Sequence, residues 1–115
     1  PYTLLDGTGG GLYIGSGCNI SAGVQIYTHD TVKACLTGNK GVKETGSVRL
    51  GDNTYVGPMC VISKGVTVGE RCVIGTNSFV NKSFGDNCII AGTPARQIGK
   101  VVIDDEGNAE LIYEI

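Results

Sequence analysis

The sequence predicts an all-β fold, a parallel β-helix of hexapeptide repeats with one protruding loop and a C-terminal β-hairpin. Three observations carry that expectation. Aliphatic side chains recur every sixth residue at Leu50, Val56, Ile62, Val68, Ile74 and Val80, and Ile14, Ile20 and Ile26 share the register. The next position is glycine at Gly15, Gly51, Gly57, Gly69 and Gly75, and the fourth after the aliphatic is slim at Cys18, Val24, Thr54, Cys60, Val66, Cys72 and Ser78. A period of six matches neither a helix of 3.6 nor the alternation of a half-buried strand, and no window of about ten residues carries an amphipathic stripe.

Taken in order, residues 1–98 are expected to form the coil. Three flat strands of six residues make one triangular turn of about 18, with the aliphatic inward, the slim residue near the corner, and glycine or asparagine permitting the bend. Ile14, Ile20 and Ile26 supply one turn. The repeat then fails between Thr28 and Arg49, and residues 30–49 are expected to leave the coil as a polar loop and re-enter in register. Long loops in compact domains are usually functional. Leu50 to Val80 resume the coil. Residues 99–115 read as a hairpin, Val101-Val-Ile103 and Ala109 to Ile115 around Asp104 to Asn108, that covers the coil's open end.

Composition narrows the function. The 115 residues carry a net charge of −2 and no block of Lys or Arg, which argues against a nucleic-acid partner. The longest apolar stretches, such as Cys88 to Ala91, fall far short of the ~20 residues of a membrane span. The five cysteines form no CxxC pair, and one histidine cannot complete a metal site with them, so no metal is expected. Cys18, Cys60 and Cys72 sit in the slim slot of the repeat, leaving Cys35 and Cys88 as the candidates for reactivity. Unpaired thiols suit a reducing compartment, so a cytoplasmic location is expected. The chain begins at Pro1 rather than methionine, so residues upstream are expected to have been removed.

The hexads, the segment Tyr27-Thr28-His29-Asp30 with its loop, and the ending Ile90-Ala-Gly-Thr-Pro-Ala-Arg96 resemble the hexapeptide-repeat family of left-handed β-helix acetyltransferases. The likeness covers about residues 13–98 and is greatest to the sugar and polysaccharide O-acetyltransferases. It implies a left-handed coil, a homotrimer, and acetyl-CoA as acyl donor in the cleft between neighbouring coils. His29, the one histidine of the chain, is then the general base: a neutral imidazole of ordinary pKa ~6.5 can take the proton of a hydroxyl attacking a thioester. Asp6 and Asp30 are the candidates on the acceptor side. Asp30 adjoins His29, but neighbours in a strand point to opposite faces, so Asp6 or a backbone carbonyl competes to orient the imidazole.

Gly57 and Gly75, one 18-residue turn apart, are expected to stack at one corner and offer narrow backbone to a pantetheine arm. By the resemblance, Pro58, Thr76 and Asn81 also touch the cofactor, while Lys82 and Arg96 face the CoA phosphates. The sequence departs from the family at Asn81, where threonine is common, at Gly85-Asp86, where a proline pair is common, and at Thr31, where many relatives carry a second histidine. The acceptor expected is a sugar hydroxyl, with the amine of a nucleotide-linked amino sugar as alternative. A zinc hydratase of the γ-class carbonic anhydrase type needs several histidines per chain. A non-catalytic structural or ice-binding coil has no use for the loop or the basic ending, and ranked Thr-x-Thr rows are absent.

Overall fold

The computed structural model describes residues 2–114; Pro1 and Ile115, the outer ends of the expected coil and hairpin, lie outside the described residues. The coil opens with β1 (Leu4–Leu5), β2 (Leu12–Ile14) and β3 (Asn19–Ile20), and β4 (Gln25–Ile26) stacks on β1 to begin the next rung. The excursion follows, with β5 (His29–Asp30), α1 (Val32–Leu36) and β6 (Glu44–Thr45). The coil resumes with β7 (Val48–Leu50), β8 (Tyr55–Val56), β9 (Val61–Ile62), β10 (Thr67–Val68), β11 (Val73–Ile74) and β12 (Phe79–Val80). It ends with β13 (Cys88–Gly92), β14 (Ala95–Ile103) and β15 (Ala109–Tyr113).

The coil strands fall into three parallel sheets that the chain visits in rotation. The first face is β1-β4-β9-β12, the second β2-β7-β10, and the third β3-β8-β11-β13. Their registers set Ile26 on Ile62 and Ile62 on Val80, Ile14 on Leu50 and Leu50 on Val68, and Ile20 on Val56, Ile74 and then Ile90. The six-residue register is thus a ladder of aliphatic side chains inside a three-faced coil. From Leu50 to Val80 these side chains are at most 1% exposed. In the first rung Leu5 and Ile14 remain 47% and 37% exposed, as befits the end of a stack.

Two features of the repeat have separate causes. At eight corners one residue, Gly17, Gly23, Asn53, Met59, Gly65, Arg71, Asn77 or Asn87, takes a left-handed backbone with φ from 53° to 80°. Glycine and asparagine dominate there because they occupy that region at least cost. The glycine after each aliphatic answers a different need. A Cβ at Gly51 would lie 2.5 Å from the backbone of Gly69 and Glu70 on the next rung.

The slim slot also does more than pack. Thr54 Oγ1 donates to the carbonyl of Gly69 at 2.9 Å, Cys60 Sγ to Gly75 at 3.0 Å, and Cys72 Sγ to Gly85 at 3.1 Å. A small donor at this corner satisfies the carbonyl of the next rung's glycine. All five cysteines are free. Burial pushes the Cys72 thiol up to about 11 and raises Cys60 and Cys88 as well, so Cys88 is a packing residue and Cys35 the exposed thiol.

The regular period stops after Val80 because the last turn is shorter: Ile90 rather than a residue 18 beyond Ile74 completes the third face, and Phe84 bridges Val68 on the second. The excursion begins at His29, and the coil is re-entered at the buried Val48, just before the expected limit. Since Ile26 meets Ile62, 36 residues on, the excursion stands in for one whole turn. It holds the short helix α1, which the six-residue pattern did not signal, and an antiparallel pair, β5 with β6. β14 pairs antiparallel with β13 and β15 with β14, so the hairpin continues the third face beyond the last rung. Because β14 runs from Ala95 to Ile103, coil and hairpin share a strand across residue 98.

Candidate active site

His29 opens β5 where the chain leaves the first face, and two neighbouring segments fix it. Asp6 N donates to the Ile26 carbonyl at 2.9 Å, which lays the segment after β1 beside Tyr27 and Thr28. The buried Thr28 hydroxyl donates to the Asp6 carbonyl and accepts from Gly9 N, each at 2.9 Å. Gly9 is required for this approach: a Cβ there would run into the Thr28 backbone and lie 2.6 Å from His29 Cβ.

His29 Nδ1 lies 2.6 Å from Asp6 Oδ2, with the imidazole 32% and the carboxylate 12% exposed. Asp6 Oδ1 accepts from Thr8 Oγ1 at 2.7 Å and from Thr8 N at 3.1 Å. Those Thr8 bonds are the main reason the Asp6 carboxyl is held down to about 2, and the His29 contact adds to them. A carboxylate can only accept, so Nδ1 carries a proton toward Asp6, and in a neutral ring the lone pair is then on Nε2. Of the rivals for orienting His29, Asp6 makes the contact. Asp30 turns instead to Lys64, whose Nζ lies 2.7 Å from Asp30 Oδ2. That ammonium, with the Val32 N–H, holds the Asp30 carboxyl below its ordinary value, and Asp30 holds the Lys64 ammonium above its own.

His29 lines a cleft of about 610 Å³ between coil and loop. Its walls are Tyr27, Val61, Ser63, Lys64 and Phe79 from the coil, and Asp30, Thr31, Val32, Cys35 and Leu36 from the excursion. Farther along the coil, Asn81, Lys82 and Arg96 line one recess of about 420 Å³ with the cis Thr93-Pro94 turn. The three expected contacts at the basic ending are therefore together. Gly57 and Gly75 stack as expected, Gly57 N donating to the Ile74 carbonyl at 2.9 Å and Gly75 N to that of Ile90 at 2.8 Å. With Pro58 and Thr76 they occupy the corner before the first face, whereas Asn81 and Lys82 follow it. Pro58 lines a different hollow, with Tyr2, Gln25 and Met59. The expected cofactor residues thus form two groups, one on each edge of the first face. Among the described residues no cluster of three metal-ligating side chains occurs, and no helix is long and apolar enough to cross a membrane.

The sequence reading missed Thr8, Gly9 and Lys64. Lys64 precedes Lys82 by one 18-residue turn, so its place beside the basic edge could have been found from the period. Thr8 and Gly9 had no such signal, because Leu5 pairs with Ile26, 21 residues on, outside the six-residue register.

Residues 47–82 match the family described as bacterial transferase hexapeptide (six repeats). The chain is 31% identical over 105 residues to the chloramphenicol acetyltransferase of Morganella morganii, covering 81% of this chain and 50% of that protein. It spans half or less of the length of the curated relatives it matches first. Among solved structures, a galactoside acetyltransferase in complex with coenzyme A superposes with a TM-score of 0.73 at 32% identity, covering 84% of this chain and 47% of the other. A point mutant of AntD, an N-acyltransferase from Bacillus cereus, in complex with dTDP-4-amino-4,6-dideoxyglucose and coenzyme A, gives a TM-score of 0.74 at 27% identity over 84% of this chain and 56% of that one. With its ladder of hexads, its matched repeat and these relatives in sequence and fold, the chain belongs to the hexapeptide-repeat transferase family.

Proposed function

We propose that the chain is the catalytic coil of an acetyl-CoA-dependent acetyltransferase that acts on a hydroxyl of a sugar or polysaccharide precursor. The observation that carries this reading is the Asp6–His29 pair, in which Asp6 engages Nδ1 of an imidazole that lines a cleft. His29 takes the acceptor proton at Nε2 as the acceptor oxygen bonds to the thioester carbonyl carbon. The carbon–sulfur bond breaks, and the imidazolium returns the proton to the departing thiolate, so no covalent enzyme intermediate is needed. Asp6 orients the ring and stabilises its charged form.

The donor fits the residues present. Asn81, Lys82 and Arg96 surround one recess, where two cations suit the phosphates of CoA. Gly57, Pro58, Gly75 and Thr76 offer a narrow corner for the extended arm. The two groups lie on opposite edges of the first face, an arrangement suited to a homotrimer in which neighbouring left-handed coils each contribute one edge. We place the protein in the cytoplasm. A second reading, acyl transfer to the amine of a nucleotide-linked amino sugar, draws on the likeness to AntD, since the same base serves either acceptor.

Calorimetric titration with CoA tests the reading without knowledge of the acceptor. Saturable binding near one site per chain is expected, together with loss of transfer in a folded His29→Ala variant. Absence of CoA binding, or undiminished turnover without the imidazole, overturns it.

A further inference from the structure

We propose that Lys64 is a positioning residue, the counter-ion that closes the root of the excursion and so holds the wall of the cleft beside His29. In β5 and β6, Asp30 and Glu44 are direct partners across the antiparallel pair, as are His29 and Thr45. Two carboxylates facing each other across a pair only two residues long oppose its closure. Lys64 Nζ lies 2.7 Å from Asp30 Oδ2 and 3.7 Å from Glu44 Oε2, between the two. Lys33 of α1 holds the other Glu44 oxygen at 3.0 Å, but it belongs to the excursion and cannot anchor it. Lys64 belongs to the coil, directly after β9, so its ammonium fastens both strands of the root to the rigid ladder.

An isolated surface pair contributes little. Here one cation is shared by two acids, its side chain is 27% exposed, and the chain supplies one backbone tether besides, Gly46 N donating to the Thr28 carbonyl at 2.9 Å. Loosening the root moves the backbone of His29 on the side away from Asp6. It also shifts Val32, Cys35 and Leu36, which form the outer wall of the cleft. Lys64 and the root line the cleft of His29 and not the recess of Asn81, Lys82 and Arg96, so the effect is expected on the acceptor side.

The consequence for turnover rests on the acetyltransferase reading; the consequence for the loop does not. Lys64→Met is expected to speed amide hydrogen exchange across residues 29–46 about tenfold. It should raise the acceptor KM about tenfold through the misplaced wall, while CoA affinity stays within about twofold. Lys64→Arg keeps the charge and should stay near wild type. The decisive variant is Lys64→Met combined with Asp30→Asn and Glu44→Gln, which removes the repulsion that Lys64 neutralises and should restore slow exchange to within about threefold of wild type. Unchanged exchange in Lys64→Met overturns the proposal. So does a triple variant whose exchange stays fast, because repulsion between the two carboxylates would then not be what opens the root. If the wild-type chain fails to bind CoA, the enzymatic reading falls and the exchange measurements still judge the latch.

Discussion

Replacing Asp6 by asparagine changes one atom, and the surroundings dictate how that atom is placed. Asp6 Oδ1 accepts two hydrogen bonds from Thr8, at 2.7 and 3.1 Å. An asparagine that keeps them must point its oxygen at Thr8 and its NH₂ at His29. The amide then donates to Nδ1, which is 2.6 Å from the present carboxylate oxygen. The imidazole is driven to carry its proton on Nε2, the nitrogen that must accept one. General-base catalysis contributes about 10²–10⁴ in rate, and a correctly placed ring in the wrong tautomer forfeits most of it. We expect kcat for acetyl transfer to fall about 10²–10³-fold in Asp6→Asn, with CoA affinity unchanged by calorimetry. A second consequence has a fixed sign. The native carboxyl is held at about 2 against an ordinary 3.8, so Asp6 adds stability that is fully present above about pH 4 and lost as pH falls toward 2. Denaturation midpoints of Asp6→Asn should accordingly show a shallower acid limb. A kcat within about threefold of wild type would refute the reasoning, because the ring would then not depend on its partner for its tautomer.

Two other expectations follow from the ladder and the basic edge. Lys82→Ala and Arg96→Ala should each weaken CoA about tenfold while affecting dephospho-CoA less, and equal losses for both ligands in calorimetry would contradict a phosphate contact. Gly51→Ala forces a Cβ to within 2.5 Å of backbone on the next rung, which has no flexible end to give way. It should destabilise the fold by about 2–3 kcal/mol in urea, and a loss under about 0.5 kcal/mol would show that the rungs spread easily.

The sequence disclosed most where a position repeats. A side chain every six residues can be assigned inward without knowing its neighbours, and Leu50 to Val80 lie there. The excursion was visible as a failure of that rule, and its length in whole hexads already implied re-entry in register. What stayed hidden lies outside the period. Thr8 and Gly9, and the choice of Asp6 among the candidates to orient His29, depend on an irregular first turn whose pairing of Leu5 with Ile26 follows no multiple of six. Met59 and Arg71 occupy left-handed corners that their residue types disfavour, so only the backbone reveals that they turn as the glycine and asparagine corners do. The short last turn, with Phe84 in place of an aliphatic, ended the pattern sooner than the coil itself. Asp30 and Lys64 belong to the interface between regular and irregular chain, where spacing names candidates and contacts alone choose among them.

The excursion leaves and rejoins a ladder whose rungs are already joined without it: Tyr27 N donates to Ile62 O and Gly46 N to Thr28 O, so its two ends meet at the coil. The cost of closing such a segment grows only logarithmically with its length, and none of the aliphatic stack passes through it. The protein is therefore divided into a load-carrying shaft and an interchangeable head. The shaft answers to strand spacing and tolerates almost no change of volume. The head can be lengthened, shortened or replaced between Asp30 and Glu44 without any rung changing its neighbour. Variation can accumulate there while Asp6 on one side, and Lys64 through Asp30 on the other, keep His29 where it is.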